Sequence, residues 1–126
     1  MGKRILVVDD DESILGLERT ILEQKGFSVT TATGGRRALE IVAEQPFDLV
    51  LLDVMMPDTD GFEVCRRLKQ DPRTRPIPVV FLTAKTGGEA LATGFDAGAV
   101  MYINKPFTAT KLLAVVNAML EPPASA

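Results

Sequence analysis

The chain has 126 residues, enough for one domain with a single core and too few for two of comparable size. Hydrophobic residues make up 46% and charged residues 25%, a balance that excludes a disordered chain, and a net charge of −3 without any basic run argues against direct nucleic-acid binding. Cys65 stands alone, which excludes a disulfide framework, and no stretch approaches the roughly 20 apolar residues needed to span a bilayer, so no membrane role is expected. The N-terminus runs into its first apolar segment without a signal-type sequence, and a cytoplasmic location is expected. Arg36-Arg37 and Arg66-Arg67 are the densest basic spots and read as solvated helix faces.

Strand-like and helix-like segments alternate from end to end. Arg4 to Val8 is a β-branched run that predicts a first strand. Glu12 to Lys25 predicts a helix, with Ile14, Leu17 and Ile21 spaced for one face, Leu15 and Leu22 beside them, and Gly26 suited to a left-handed cap. Phe27 to Ala32 predicts a second strand. Arg36 to Glu44 predicts a helix with Leu39, Ile41 and Val42 inward, stopped by Pro46 ahead of a third strand at Asp48 to Asp53. Glu63 to Gln70 predicts a third helix, after which Pro72, Pro76 and Pro78 mark a loop leading to a fourth strand, Val79 to Leu82. Glu89 to Ala97 predicts a fourth helix of low local stability, because Gly87, Gly88 and Gly94 each cost roughly 1 kcal/mol relative to Ala if helical. Val100 to Ile103 predicts a fifth strand, and Thr108 caps a last helix running to about Leu120, ended by Pro122-Pro123. Residues 1–121 therefore read as one domain and 122–126 as a tail or a linker cut short.

Five βα units imply an α/β protein, a parallel sheet covered by helices on both faces, because parallel strands need crossovers and right-handed crossovers dominate. In such sheets ligands bind outside the carboxyl ends of the strands, where strand order reverses. Four of the predicted strands end there on polar groups: Asp9 and Asp10, Asp53, Thr83, and Asn104-Lys105. Three carboxylates brought together repel, each pair by roughly 4 kcal/mol at about 4 Å and an effective dielectric near 20. A hard divalent cation such as Mg²⁺ and the Lys105 ammonium would offset that repulsion. A phosphoryl group could then sit on a carboxylate nucleophile, with the Thr83 hydroxyl donating to its oxygen. Asp11, Asp58 and Asp60 read as turn formers or helix caps, and Met55, Met56 and Met101 as packing or surface residues, since thioethers do not suit a hard cation.

Ile5-Leu6-Val7-Val8-Asp9-Asp10-Asp11, Leu49 to Pro57, Asp60-Gly61-Phe62, Phe81-Leu82-Thr83-Ala84 and Tyr102-Ile103-Asn104-Lys105-Pro106-Phe107 together resemble the receiver domain of two-component response regulators. The resemblance covers essentially the whole chain. It implies a flavodoxin-like, doubly wound five-stranded sheet of order 2-1-3-4-5, in which Asp53 takes a phosphoryl group from the phosphohistidine of a sensor histidine kinase or phosphotransfer protein. It further implies that Asp10, Asp53 and the Met55 backbone carbonyl ligate Mg²⁺, that Asp9 acts through metal-bound water, and that Thr83 and Lys105 hold the phosphoryl oxygens. The Lys105-Pro106 peptide would be cis. Thr83 and Tyr102 would form the switch that changes the face of helix four, strand five and helix five toward a downstream protein target or output domain.

Two departures from the family pattern stand out. Val100 and Met101 replace acidic residues that many receivers carry before the aromatic, so a salt-bridged dimer through that face is doubtful. A monomer or a weak phosphorylation-dependent dimer is expected, with Val100, Met101 and Tyr102 either a partner surface or packing groups. Met55 and Lys85 supply no carboxylate or carboxamide to orient an attacking water, which predicts slow self-dephosphorylation. An aspartyl-nucleophile phosphatase would want a second Asp where Met55 stands, and a flavin or dinucleotide carrier would want a Gly-, Ser- or Thr-rich first turn where Asp9 to Glu12 stands. A degenerate receiver serving only as a binding module would lack phosphorylation residues that are present here.

Overall fold

A computed structural model describes residues 2–120 of the chain; the tail predicted at 122–126 lies outside the described residues. Its elements follow the predicted alternation: β1 (Arg4–Val8), α1 (Glu12–Glu23), β2 (Ser28–Ala32), α2 (Gly35–Glu44), β3 (Leu49–Leu52), α3 (Gly61–Gln70), β4 (Val79–Thr83), α4 (Gly88–Asp96), β5 (Met101–Asn104) and α5 (Ala109–Leu120). The strands pair in parallel in the order β2-β1-β3-β4-β5. Strand order therefore reverses between β1 and β3, the position where an open α/β sheet leaves a crevice at its carboxyl edge.

Alternate strand residues feed two cores, one on each face of the sheet. Leu6, Val8, Val50, Leu52, Val79 and Phe81 pack with Ala38, Ile41, Phe62, Val64, Cys65, Leu68 and Ala90 under α2, α3 and α4. Ile5, Val7, Leu49, Leu51, Val80 and Leu82 pack with Leu15, Leu22, Leu112 and Val116 under α1 and α5. Both faces are covered, so the central strands are apolar throughout rather than alternating. Each fully buried aliphatic side chain contributes roughly 1.5–3 kcal/mol of burial.

Local signals end the helices where residue chemistry demands it. Asp11 caps α1, accepting from the Ser13 and Ile14 N–H groups, and Asp60 caps α3 through the Phe62 N–H. Gly26 follows α1 at φ +92, the left-handed conformation in which a side chain would be strained. Thr108 accepts from the Lys111 N–H at the start of α5, as expected.

One helix face differs from the expectation. Leu17 is 51% exposed, Ile14 and Ile21 are only half-buried, and the buried stripe of α1 is Leu15, Glu18 and Leu22. Two overlapping apolar stripes compete on this helix, and the one set against the sheet carries a glutamate. In α2, Ile41 is buried as expected, with Ala38 beside it, while Leu39 and Val42 are half-buried at the margin. Helix α3 begins two residues earlier than expected because Asp60 is its cap. Among the described residues no helix is long and apolar enough to cross a membrane.

Candidate functional site

The backbone fixes the site residues before their side chains are considered. The N–H of Asp9 donates to the Ala32 carbonyl at 3.1 Å, that of Asp53 to Val8 at 3.0 Å, and that of Lys105 to Thr83 at 2.9 Å. Each of these bonds continues a parallel ladder past the end of its strand. Asp9, Asp53 and Lys105 are thereby registered at the carboxyl edge with the rigidity of the sheet.

Asp9, Asp10 and Asp53 each offer a carboxylate oxygen, and these oxygens all lie within 4.8 Å of one another. Lys105 spans the cluster: its ammonium donates to Asp53 Oδ2 at 3.1 Å and to Asp9 Oδ2. Asp9 and Asp53 are buried, whereas Asp10 is exposed at the mouth of the crevice. Burial pushes the Asp9 carboxyl above the usual carboxylate range, although Lys105 and the Asp11 N–H pull it down. Burial also pulls the Lys105 ammonium down, but its bonds and attraction to Asp9 and Asp53 outweigh that and hold it above the usual lysine range. One firmly protonated ammonium thus faces three carboxylates, and the cluster is short of positive charge. An all-oxygen donor set of this kind fits a hard divalent cation such as Mg²⁺.

The remaining sequence-predicted residues differ in exposure. Met55 donates its N–H to Asp53 Oδ1 at 3.2 Å, and its side chain is 57% exposed. Thr83 is fully buried, with its Oγ1 accepting from the Lys85 N–H at 3.2 Å. Tyr102 donates its hydroxyl to the Lys85 carbonyl at 2.7 Å, and the Asn104 amide donates to the same carbonyl at 3.1 Å. Lys85 therefore joins Thr83 to Tyr102 through its backbone N–H on one side and its carbonyl on the other. The Tyr102 ring lies 5.8 Å from that of Phe81, and a Cβ at Gly94 would fall 2.9 Å from it, so the close approach of α4 depends on a glycine there. Burial, and then the Asp53 charge, hold the Tyr102 hydroxyl above its ordinary pKa. Lys105-Pro106 is cis, as expected.

Val100 and Met101, expected as either a patch or packing groups, divide between the two. Val100 is 48% exposed, and Met101 packs against the core shared by α1 and α5. Leu91 and Phe95 on α4 are exposed as well, giving that helix an apolar outer face.

Two features escaped sequence reasoning. Asp58, expected as a turn former or helix cap, is a cap, but for a helix distant in sequence: its carboxylate reaches across to the N–H groups of Gly35 and Arg36 at 3.1 and 3.0 Å and caps α2 from the loop after β3. A Cβ on Gly34 or Gly35 would collide with side chains of that loop. The other is Glu18, 1% exposed on the buried stripe of α1 and pushed up to about 8, first by burial and then by the charge of Asp9. Its signal was the Leu15–Leu22 spacing, which puts residue 18 on their face.

Comparison with known proteins gives one answer. Residues 5–117 match the family model described as the response regulator receiver domain. The chain is 43% identical over 117 residues to the DNA-binding dual master transcriptional regulator RpaA of a Synechocystis strain, covering 93% of this chain and 48% of that protein. It is 44% identical over 119 residues to the response regulator PleD of Caulobacter vibrioides, covering 94% of this chain and 26% of that one. The chain thus spans about half the length of the first relative and a quarter of the second. Among solved structures, the Vibrio cholerae chemotaxis protein CheY4 superposes with a TM-score of 0.91 at 32% identity, covering 95% of this chain and all of that one. The BeF3-activated DrrB receiver domain superposes with a TM-score of 0.87 at 41% identity, covering 97% and 100%. With the sheet order, the acidic cluster and the bridging lysine, these matches establish that the chain belongs to the receiver domain family of two-component response regulators.

Proposed function

We propose that Asp53 is the phosphoacceptor of this receiver and that its phosphorylation is the signal the domain transmits. The observation that carries this reading is the Lys105 ammonium held between the buried carboxylates of Asp9 and Asp53, with Asp10 beside them at the reversal of strand order. A carboxylate oxygen of Asp53 bonds to phosphorus as the phosphorus–nitrogen bond of a donor phosphohistidine breaks, and that electron pair leaves on the imidazole. The donor is a sensor histidine kinase or a phosphotransfer protein. Lys105 and the Thr83 hydroxyl hold the phosphoryl oxygens. Asp10, Asp53 and the Met55 carbonyl would hold Mg²⁺, with Asp9 acting through water. When bound, Mg²⁺ supplies the positive charge that lets an anionic phosphoryl group approach an anionic site.

The hydroxyl of Thr83, drawn to the phosphoryl group, would release the Lys85 N–H that it now accepts. Because Tyr102 and Asn104 hold the carbonyl of that same residue, the change reaches β5 and α4 through the backbone of one residue. The exposed Leu91, Phe95 and Val100 then present the altered face to a downstream protein target or output domain, or to a second copy in a weak dimer. Catalysis is limited to the domain's own phosphorylation and slow dephosphorylation.

Incubation with Mg²⁺ and acetyl phosphate, followed by intact mass measurement, is expected to give a single phosphoryl adduct that Asp53→Asn abolishes and that decays over minutes. An adduct persisting in Asp53→Asn would overturn the assignment of the acceptor. Decay within seconds would overturn the slow dephosphorylation inferred from Met55 and Lys85.

A further inference from the structure

Helix α2 starts without a cap of its own. Its N-cap residue is Gly34, extended in backbone and with no side chain to accept from the first turn. The acceptor comes from the loop between β3 and α3: Asp58 takes the Gly35 N–H on Oδ1 and the Arg36 N–H on Oδ2, and its Oδ1 also accepts from the Thr59 N–H at 2.8 Å. The seating is close. A Cβ on Gly34 would fall 2.8 Å from the Asp58 carboxylate, and one on Gly35 would fall 2.1 Å from the Thr59 methyl. The same loop begins at the acidic cluster, where the Met55 N–H donates to Asp53 Oδ1, and it is closed at its base by the Gly61 N–H donating to the Val54 carbonyl at 2.9 Å. Among the hydrogen bonds of residues 55–59, only those of Asp58 reach a helix or strand. Two residues separate it from Met55. Pro57 has a fixed φ and restricts Met56 before it, so a displacement at Asp58 is passed on to the Met55 carbonyl rather than absorbed.

We propose that Asp58 is a positioning residue of the phosphoacceptor site, tying the loop that presents the Met55 carbonyl to the first turn of α2. This inference rests on the reading of that carbonyl as a ligand of Mg²⁺. A backbone oxygen has no rotamer of its own, so its aim is set by the course of the loop. With the Asp58 bonds made, the loop has one course; with them broken, residues 55–59 keep only local bonds, and the carbonyl must be ordered anew whenever a cation binds. That ordering weakens binding. The coupling is reciprocal, because a cation that holds the carbonyl also steadies the loop and, through Asp58, the first turn of α2. The site thus draws on a helix that supplies none of its ligands.

The test is a Mg²⁺ titration of the whole chain, read by amide shifts, in the wild type, Asp58→Ala, Asp58→Asn and a double variant that joins Gly34→Ser to Asp58→Ala. Asp58 is exposed, so replacing it strands no buried charge, and circular dichroism checks that each protein is folded. Removing a group that orients a metal ligand weakens affinity by about tenfold or more. Asp58→Ala should therefore raise the Mg²⁺ midpoint roughly tenfold, and Asp58→Asn, which keeps one acceptor oxygen, should fall between it and the wild type. Mg²⁺ should slow hydrogen exchange at the Gly35 and Arg36 amides of the wild type but not of Asp58→Ala. The double variant separates the tie from the cap. Without the Asp58 carboxylate a Cβ at residue 34 has room, and Ser there gives α2 an acceptor of its own. Its denaturation midpoint should recover while its Mg²⁺ midpoint stays raised. Equal Mg²⁺ midpoints in the wild type and Asp58→Ala, a Mg²⁺ midpoint restored in the double variant, or wild-type exchange at Gly35 and Arg36 unmoved by Mg²⁺ would overturn this inference alone. Absence of Mg²⁺ uptake by the wild type would overturn the cation-site reading and, with it, the positioning role.

Discussion

Glu18 leaves a mark on how stability depends on pH. In an unfolded chain its carboxyl loses its proton near the ordinary value of 4.5, whereas the fold holds that proton to about 8. The folded value is raised, so the protonated group's contribution is complete below the unfolded value and is lost as pH rises through the folded one. Across that window the loss is on the order of 5 kcal/mol, at about 1.36 kcal/mol for each unit of difference. Asp9, also raised by burial, acts in the same direction at the acid end. Urea midpoints of the wild type should therefore fall between about pH 5.5 and pH 8.5, while Glu18→Leu should lose most of that slope and be the more stable protein at the alkaline end. A slope that survives in Glu18→Leu would place its origin in another group.

Two glycines show how differently the elements tolerate the same change. Gly16 lies in the middle of α1, exposed, with open space where a Cβ would stand. Gly16→Ala should raise stability by roughly 0.5–1 kcal/mol, through helix propensity and a less flexible unfolded chain. Gly61 opens α3, and a Cβ there would lie 2.1 Å from the Asp53 carbonyl oxygen. Gly61→Ala should cost about 1–3 kcal/mol as α3 is pushed off the strand that delivers Asp53, and it should slow adduct formation; equal denaturation midpoints for the two variants would refute the contrast. The strands were legible in the chain because each is a short, continuous apolar run bounded by turn residues, and the site because each of its groups directly follows such a run. The inward face of α1 was not, because Ile14–Leu17–Ile21 and Leu15–Glu18–Leu22 have the same spacing and only contact with α5 and the sheet decides between them. Nor was the Asp58 cap on α2, since it joins two segments that local signals treat separately.

At the scale of the molecule, the acidic edge sets function against stability. Three carboxylates meet at the carboxyl end of the sheet with one ammonium, which pairs with two of them, and that unbalanced charge is held in place by the rest of the fold. Such a site is expected to be destabilising until a cation fills it. Asp10 is the informative position, because it is exposed and outside the Lys105 ion pairs, so Asn can replace it without leaving a buried charge unpartnered. In EDTA, Asp10→Asn should unfold at a higher temperature than the wild type, by the few degrees that about 1 kcal/mol gives a domain of this size. Adding Mg²⁺ should reverse the order. A ligand that binds only the folded state stabilises it by about 2.7 kcal/mol at a hundred times its dissociation constant, and the variant, lacking a ligand oxygen of full charge, gains less at the same concentration. Thermal melts of both proteins across a Mg²⁺ series should therefore cross. Parallel curves would mean that Asp10 neither strains the empty cluster nor holds the cation.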